Sequence, residues 1–230
     1  MSKYLYGAAV QGIQNFIFQT NELKDIVGAS DIVKKIGDEK FAQLLVARGL
    51  SLNDPECLVI NAAGNIKYIF NKKEDCEYVV RNFPRIVLEY APGITISQAV
   101  VLMESDYEFG NKVNELERKL REQRNKPMQS LTIGLMGMDR DLSGKQSKEE
   151  LKETNSQLVA DAFGEGYHSV FDTDRMTGDN DWIAVIHADG NGLGQVVQTK
   201  GHDRKLFLEF SRKLDASTKK SAKVDAEVKG

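Results

Sequence analysis

Cys57-Leu58-Val59-Ile60-Asn61-Ala62-Ala63-Gly64-Asn65-Ile66-Lys67-Tyr68-Ile69-Phe70 is the stretch on which the fold turns. Residues 57–61 and 66–70 are apolar and rich in β-branched and aromatic side chains, and Gly64-Asn65 supplies the backbone freedom of a tight reversal, so the stretch predicts a β-hairpin. Upstream of it, from Ile13 to about Arg48, the apolar positions Phe16, Ile17, Ile32, Val33, Ile36, Phe41, Leu44 and Leu45 recur mainly at three- and four-residue steps. That spacing predicts several helices in series, broken at Gly28 and Gly37. Further upstream, residues 4–10 form a short apolar run ended by Gln11-Gly12, which reads as a buried strand. Downstream, Asn71 and Glu74 have the spacing of a capping box, and Cys76, Val79, Val80, Phe83, Val87 and Tyr90 fall on one helical face. Pro84 should kink this helix, and Ala91-Pro92-Gly93 should end it before a strand over residues 94–103. The resulting order is β-α-β-β-α-β. In that ferredoxin-like arrangement two helices cover one face of a four-stranded antiparallel sheet, giving an α+β fold class.

The remainder of the chain is organised differently. Residues 108–126 predict a charged helix whose apolar positions Phe109, Val113, Leu116 and Leu120 make a narrow stripe, suited to a linker or to light surface packing. Residues 128–181 are rich in Gly, Ser, Asp and Asn, with one helix expected around 147–163. Residues 182–188 read as a strand. They run into Asp189-Gly190-Asn191-Gly192-Leu193-Gly194 and then into a helix over about 204–222, expected to bury Leu206, Phe207, Phe210 and Leu214. This tail repeats the opening strand, glycine turn and helix, but no second hairpin follows. The expected division is a first domain over 1–105, a linker helix and loop-rich region over 106–180, and an incomplete second unit over 181–230.

Composition narrows the function classes. The 230 residues leave room for one large domain or two small ones, and 41% hydrophobic against 28% charged residues predicts a packed core. Thirty-one Lys and Arg against 34 Asp and Glu give a net charge of −3, so no overall field draws the chain to nucleic acid. Cys57 and Cys76 form no Cys-x-x-Cys unit, and neither they nor the three scattered histidines predict a zinc site. His202-Asp203 is a bare dipeptide that reads as loop. No apolar run approaches a membrane span, and the opening residues lack a signal-peptide core, so a soluble cytoplasmic protein with no membrane partner is expected.

The chemistry-bearing segment is residues 187–194. An Asp at the end of a buried strand, followed by glycines whose backbone N–H groups can approach a ligand, suits a divalent cation bridging to nucleotide phosphates. The same residues also suit an Asx-type turn in which Asp189 caps the next helix, and spacing alone leaves both readings open. No Gly-Lys-Ser/Thr follows, which excludes a Walker A loop, and the glycine spacing is not that of a dinucleotide fold.

Three segments together, Gly12-Ile13-Gln14-Asn15-Phe16-Ile17-Phe18, Leu23-Lys24-Asp25-Ile26-Val27-Gly28-Ala29-Ser30 and Ala188-Asp189-Gly190-Asn191-Gly192-Leu193-Gly194, resemble the large polymerase-like subunit of type III CRISPR effector complexes. The resemblance runs from about Tyr4 to Ala222 and weakens over residues 128–181. It implies two palm domains of ferredoxin-like order, related to polymerase palms and GGDEF cyclases, of which one converts ATP into cyclic oligoadenylate with Mg²⁺ or Mn²⁺. Carried over, Asp189 matches the catalytic metal ligand, and Gly190, Asn191, Gly192 and Gly194 match the phosphate-facing turn. The family's GGDD hairpin occurs nowhere in the 230 residues and is expected beyond Gly230, so this chain alone is expected to be inactive. The family's histidine–aspartate nuclease domain and zinc module have no counterpart in the sequence. The first palm carries Ala62-Ala63-Gly64-Asn65 at its hairpin and Gln11 at its strand end, with no acid at either, which implies a silent palm. Asn65 and Ser30 are the nucleotide-binding candidates there, with a helix cap as the competing role for Ser30. Two alternatives stand beside this reading. One is a scaffold that binds guide RNA or neighbouring effector subunits through the basic helix over residues 112–126, and the other is a GGDEF-like cyclase using GTP.

Overall fold

A computed structural model describes residues 2–18, 23–62, 64–126 and 203–227, together with positions 196 and 199. Four strands, β1 (Lys3–Gln11), β2 (Leu58–Ala62), β3 (Asn65–Phe70) and β4 (Thr95–Met103), form one antiparallel sheet in the order β2-β3-β1-β4. The expected hairpin is β2–β3, and Gly64 holds φ at 73° beside the reversal, a left-handed conformation that favours glycine. β1 lies between β3 and β4. It pairs without interruption with β4 from Lys3↔Met103 to Gln11↔Thr95, whereas β2 shifts register between Leu58 and Ile60.

The helical layer after β1 comprises α1 (Ile13–Ile17), α2 (Leu23–Lys35), a π-helical segment (Ile36–Phe41) and α3 (Ala42–Val46). Gly28 does not break α2, contrary to the sequence reading; it is buried within a continuous helix. Gly37 also leaves the helical run unbroken but sits in the π-helical segment, whose wider turn buries both Ile36 and Phe41. After the hairpin, α4 (Lys73–Tyr90) runs through Pro84 and buries Cys76, Val79, Phe83 and Val87. Lys72, not Asn71, occupies its N-cap position, and no side chain caps it. The expected capping box is absent; Arg48 instead reaches Asp75 in the first turn at 2.7 Å and ties the end of the first helical layer to α4.

These helices cover one sheet face. Tyr6, Ala8 and Val10 of β1 point into that core with Ile66, Tyr68 and Phe70 of β3. Phe41 is its hub: it stacks on Tyr6 at 5.9 Å and meets Phe83 and Tyr68 edge-on at 5.3 and 5.9 Å. Buried aromatics of this size dominate a core energetically.

The opposite face is also covered, which the βαββαβ order alone does not require. Helix α5 (Phe109–Arg124) packs Phe109, Leu116 and Leu120 against Leu5, Val59, Ile69, Val101 and Met103. Leu116 is 0% exposed and Leu120 3%, so α5 is an integral layer, not the lightly packed linker its narrow stripe predicted. Gly7 makes this possible, because a Cβ there would lie 2.8 Å from Leu116 Cδ2. Lys67 of β3 reaches Glu117 of α5 at 2.6 Å, pairing a buried ammonium across the same interface. The last helix, α6 (Arg204–Glu227), adds Phe207 to this second core. Leu206 and Leu214, expected to be buried, are 48% and 38% exposed. The expected strand over 182–188 and helix over 147–163 lie outside the described residues.

Candidate functional site

A cleft of about 690 Å³ opens where α2, the π-helical segment, the β2–β3 hairpin and α6 converge. Its apolar lining comes from Val10, Val33, Leu58 and Ile66. Its polar lining is contributed by elements far apart in sequence: Ser30 and Lys34 from α2, Asp38 from the π-helical segment, Asn61 from β2, and Ser211 and Arg212 from α6. The lining mixes polar and apolar side chains, and the volume lies in the size range of small-molecule sites.

Local structure explains why these groups converge. Asn61 Nδ2 donates to Asp38 Oδ1 at 2.8 Å, locking the hairpin to the π-helical segment. Gly37 permits this approach, since a Cβ there would fall on the Asn61 side-chain oxygen. Asp54, the second acid of the lining, accepts the backbone N–H of Glu56 at 2.8 Å. Both lining acids are therefore engaged, while Lys34 and Arg212 bring positive charge from two different helices.

Ser30 lies within α2, not at its end, and its hydroxyl donates to the Ile26 carbonyl at 3.0 Å. It is thus not a helix cap, but it does line the cleft. Asn65 opens β3, is exposed and pairs in register with Ala9 and Ala62, outside the cleft lining. Gln11 turns its amide back to donate to the Ala9 carbonyl at 3.3 Å. Asp189, Gly190, Asn191, Gly192 and Gly194 lie outside the described residues, as do His168, His187 and His202. Asp203 caps α6, accepting the N–H groups of Lys205 and Leu206 at 2.7 and 3.2 Å.

Among the described residues no group of three or more His, Cys, Asp or Glu side chains is placed to hold a metal ion. Asp189 lies outside the described residues, so a metal role for it rests on its sequence context. Cys57 and Cys76 are buried free thiols, pushed up by burial to about 11 and about 12. Among the described residues no helix is long and apolar enough to cross a membrane. Three of the five basic residues of α5 are ion-paired: Lys112 and Lys119 meet Glu115 at 3.5 and 3.1 Å, and Arg118 pairs with Glu122. The paired face weakens the case for α5 as an RNA-binding surface.

Sequence reasoning singled out Ser30 but missed Lys34, Asp38, Asn61, Ser211 and Arg212. The sequence repeat between the opening and the tail held a usable signal, because in each copy a serine-bearing helix follows an apolar run and a glycine-containing segment, with Ser30 in one and Ser211 in the other.

No protein-family model matches the chain, and no curated protein matches it. Solved structures similar to it include crystal structures of the Csm1-Csm4 cassette, apo and in complex with cA3, each at 19% identity and a TM-score of 0.44 over 53% of this chain and 18% of that chain. The same cassette in complex with pppApApA matches at 18% identity and a TM-score of 0.46, covering 56% of this chain and 20% of that chain. The matched part thus spans about a fifth of the length of those chains.

Proposed function

We propose that the chain carries a silent first palm and the opening strand and helix of a second palm of a nucleotidyltransferase subunit from a CRISPR-like defence system. With the second palm complete, the subunit joins ATP into cyclic oligoadenylate. The observation that carries this reading is the cleft: serines from two separate helices, Ser30 and Ser211, line it together with Lys34 and Arg212. The Ser30 hydroxyl, its proton engaged by the Ile26 carbonyl, can accept from a nucleobase or ribose, the Ser211 hydroxyl can donate or accept, and the two cations suit phosphate. The sheet order and the three sequence segments quoted above support the same assignment.

In this reading the 3′-hydroxyl of one nucleotide attacks the α-phosphorus of another, an O–P bond forms and pyrophosphate leaves. Asp189 would hold Mg²⁺ or Mn²⁺, and the cation would supply positive charge to the departing phosphates. The Gly190 to Gly194 segment, by its glycine content, would let backbone N–H groups approach those phosphates. Ser30, Lys34, Ser211 and Arg212 bind and orient the nucleotide.

Labelled ATP with Mg²⁺ or Mn²⁺ tests the assignment. The 230-residue chain should bind ATP and form no product, a protein extended through the expected GGDD hairpin should make oligoadenylate, and Asp189→Ala in that protein should abolish synthesis. Synthesis by the 230-residue chain would refute the split site, and an active Asp189→Ala protein would reduce Asp189 to a turn residue.

A further inference from the structure

Helix α6 supplies Ser211 and Arg212 to the cleft, yet among its residues with described side chains only Phe207 is buried, at 6% exposure. Phe207 enters the second core beside Phe109, ring centroids 6.4 Å apart. Three residues earlier, the Arg204 guanidinium donates to the Glu56 backbone carbonyl and lies 3.5 Å from the Glu56 carboxylate. Glu56 belongs to the turn that leads into β2. Phe207, Leu208, Ser211 and Arg212 lie three, four, seven and eight residues after Arg204, which is a single helical face. The first turn of that face grips the sheet, and the next turn lines the cleft.

We propose that Arg204 and Phe207 are positioning residues, a two-point clamp that docks α6 and so sets the Ser211 and Arg212 side of the cleft. The clamp is built with little margin, because Arg204 Nε is buried without a partner among the described residues, and burying an unpaired donor opposes docking. A ligand that touches both Ser30 and Ser211 draws α6 onto the sheet, and by linkage a docked α6 binds that ligand more tightly. The clamp itself follows from packing; its coupling to ligand rests on the nucleotide reading above.

Amide hydrogen exchange on the 230-residue chain, with and without ATP, separates the two parts. In Phe207→Ala and Arg204→Gln, amides of residues 204–214 should exchange about tenfold faster, with those of β1, β3 and β4 unchanged. Affinity for ATP should fall about tenfold in both variants, and saturating ATP should restore much of the lost protection. Wild-type exchange across 204–214 in Arg204→Gln, which keeps the Phe207 packing intact, would overturn the clamp. Loosened α6 with undiminished ATP affinity would overturn the coupling and leave the nucleotide reading intact. Loosened α6 in a chain whose wild type does not bind ATP would support the clamp and defeat the nucleotide reading.

Discussion

Gly37 and Asn61 show how one missing side chain organises the cleft. A helical Gly→Ala change ordinarily stabilises by about 0.5–1 kcal/mol. Here the new methyl would displace the Asn61 amide and break its bond to Asp38, a loss of about 1 kcal/mol that cancels or reverses the gain. Gly37→Ala should therefore be neutral or destabilising in the wild-type background and stabilising in an Asn61→Ala background, a sign change readable from urea midpoints in a double-mutant cycle. Equal effects in both backgrounds would mean that the amide moves aside without cost. The buried thiols give a second residue-scale test. Because burial raises Cys57 to about 11 and Cys76 to about 12, the folded state holds both thiols neutral at a pH where an unfolded thiol ionises. Their contribution is complete below the ordinary thiol value of about 8.5 and is lost as pH rises from there toward the folded values. Urea midpoints should fall between pH 8 and pH 10, and Cys57→Ala with Cys76→Ala should flatten that fall while lowering the midpoint at both pH values. An unchanged slope in the double variant would show that the thiols titrate normally.

At the level of elements, what could be read from sequence depended on whether the signal was local. β1, the hairpin, α4 and β4 each carry their own periodicity and turn residues, and all four lie within a residue or two of where the pattern puts them. The misplaced features share a different cause: in each, a tertiary contact overrides a local preference. Gly28 and Gly37 read as breaks because glycine is a poor helix former, but their burial and the close approach of Asn61 keep the helical run continuous. Asn71 and Glu74 have the spacing of a cap, yet Arg48, distant in sequence, engages Asp75 instead. The narrow stripe on α5 suffices because Gly7 lets Leu116 close onto the sheet, so that few apolar residues seal the second core. Of the site, Ser30 was legible as part of a segment, while Asn61 and Arg212 were not, since nothing in their neighbours signals the cleft that joins α2, β2 and α6.

Over the whole molecule, one sheet serves two cores, and that fixes how it should unfold. β1 sends Tyr6, Ala8 and Val10 into the core beneath α4 and Leu5 into the core beneath α5; β3 divides in the same way, with Tyr68 and Phe70 on one side and Ile69 on the other. Neither core can lose its packing without releasing strands that the other requires. Phe83→Ala, in the first core, should cost about 3–5 kcal/mol, and Leu116→Ala, in the second, about 2–5 kcal/mol. If the sheet couples the faces, each substitution should lower one shared urea midpoint for amide protection in α4 and in α5 alike, the mark of a single cooperative transition. Had α5 been a linker, Leu116→Ala would release α5 early and leave α4 protected at the wild-type midpoint. α6 provides the internal contrast, because its two-point attachment predicts opening far below the urea concentration that melts the sheet. Coincident melting of α4 and α5 with earlier loss of α6 is therefore the expected order, and separate midpoints for α4 and α5 would show that the shared strands do not bind the two cores into one unit.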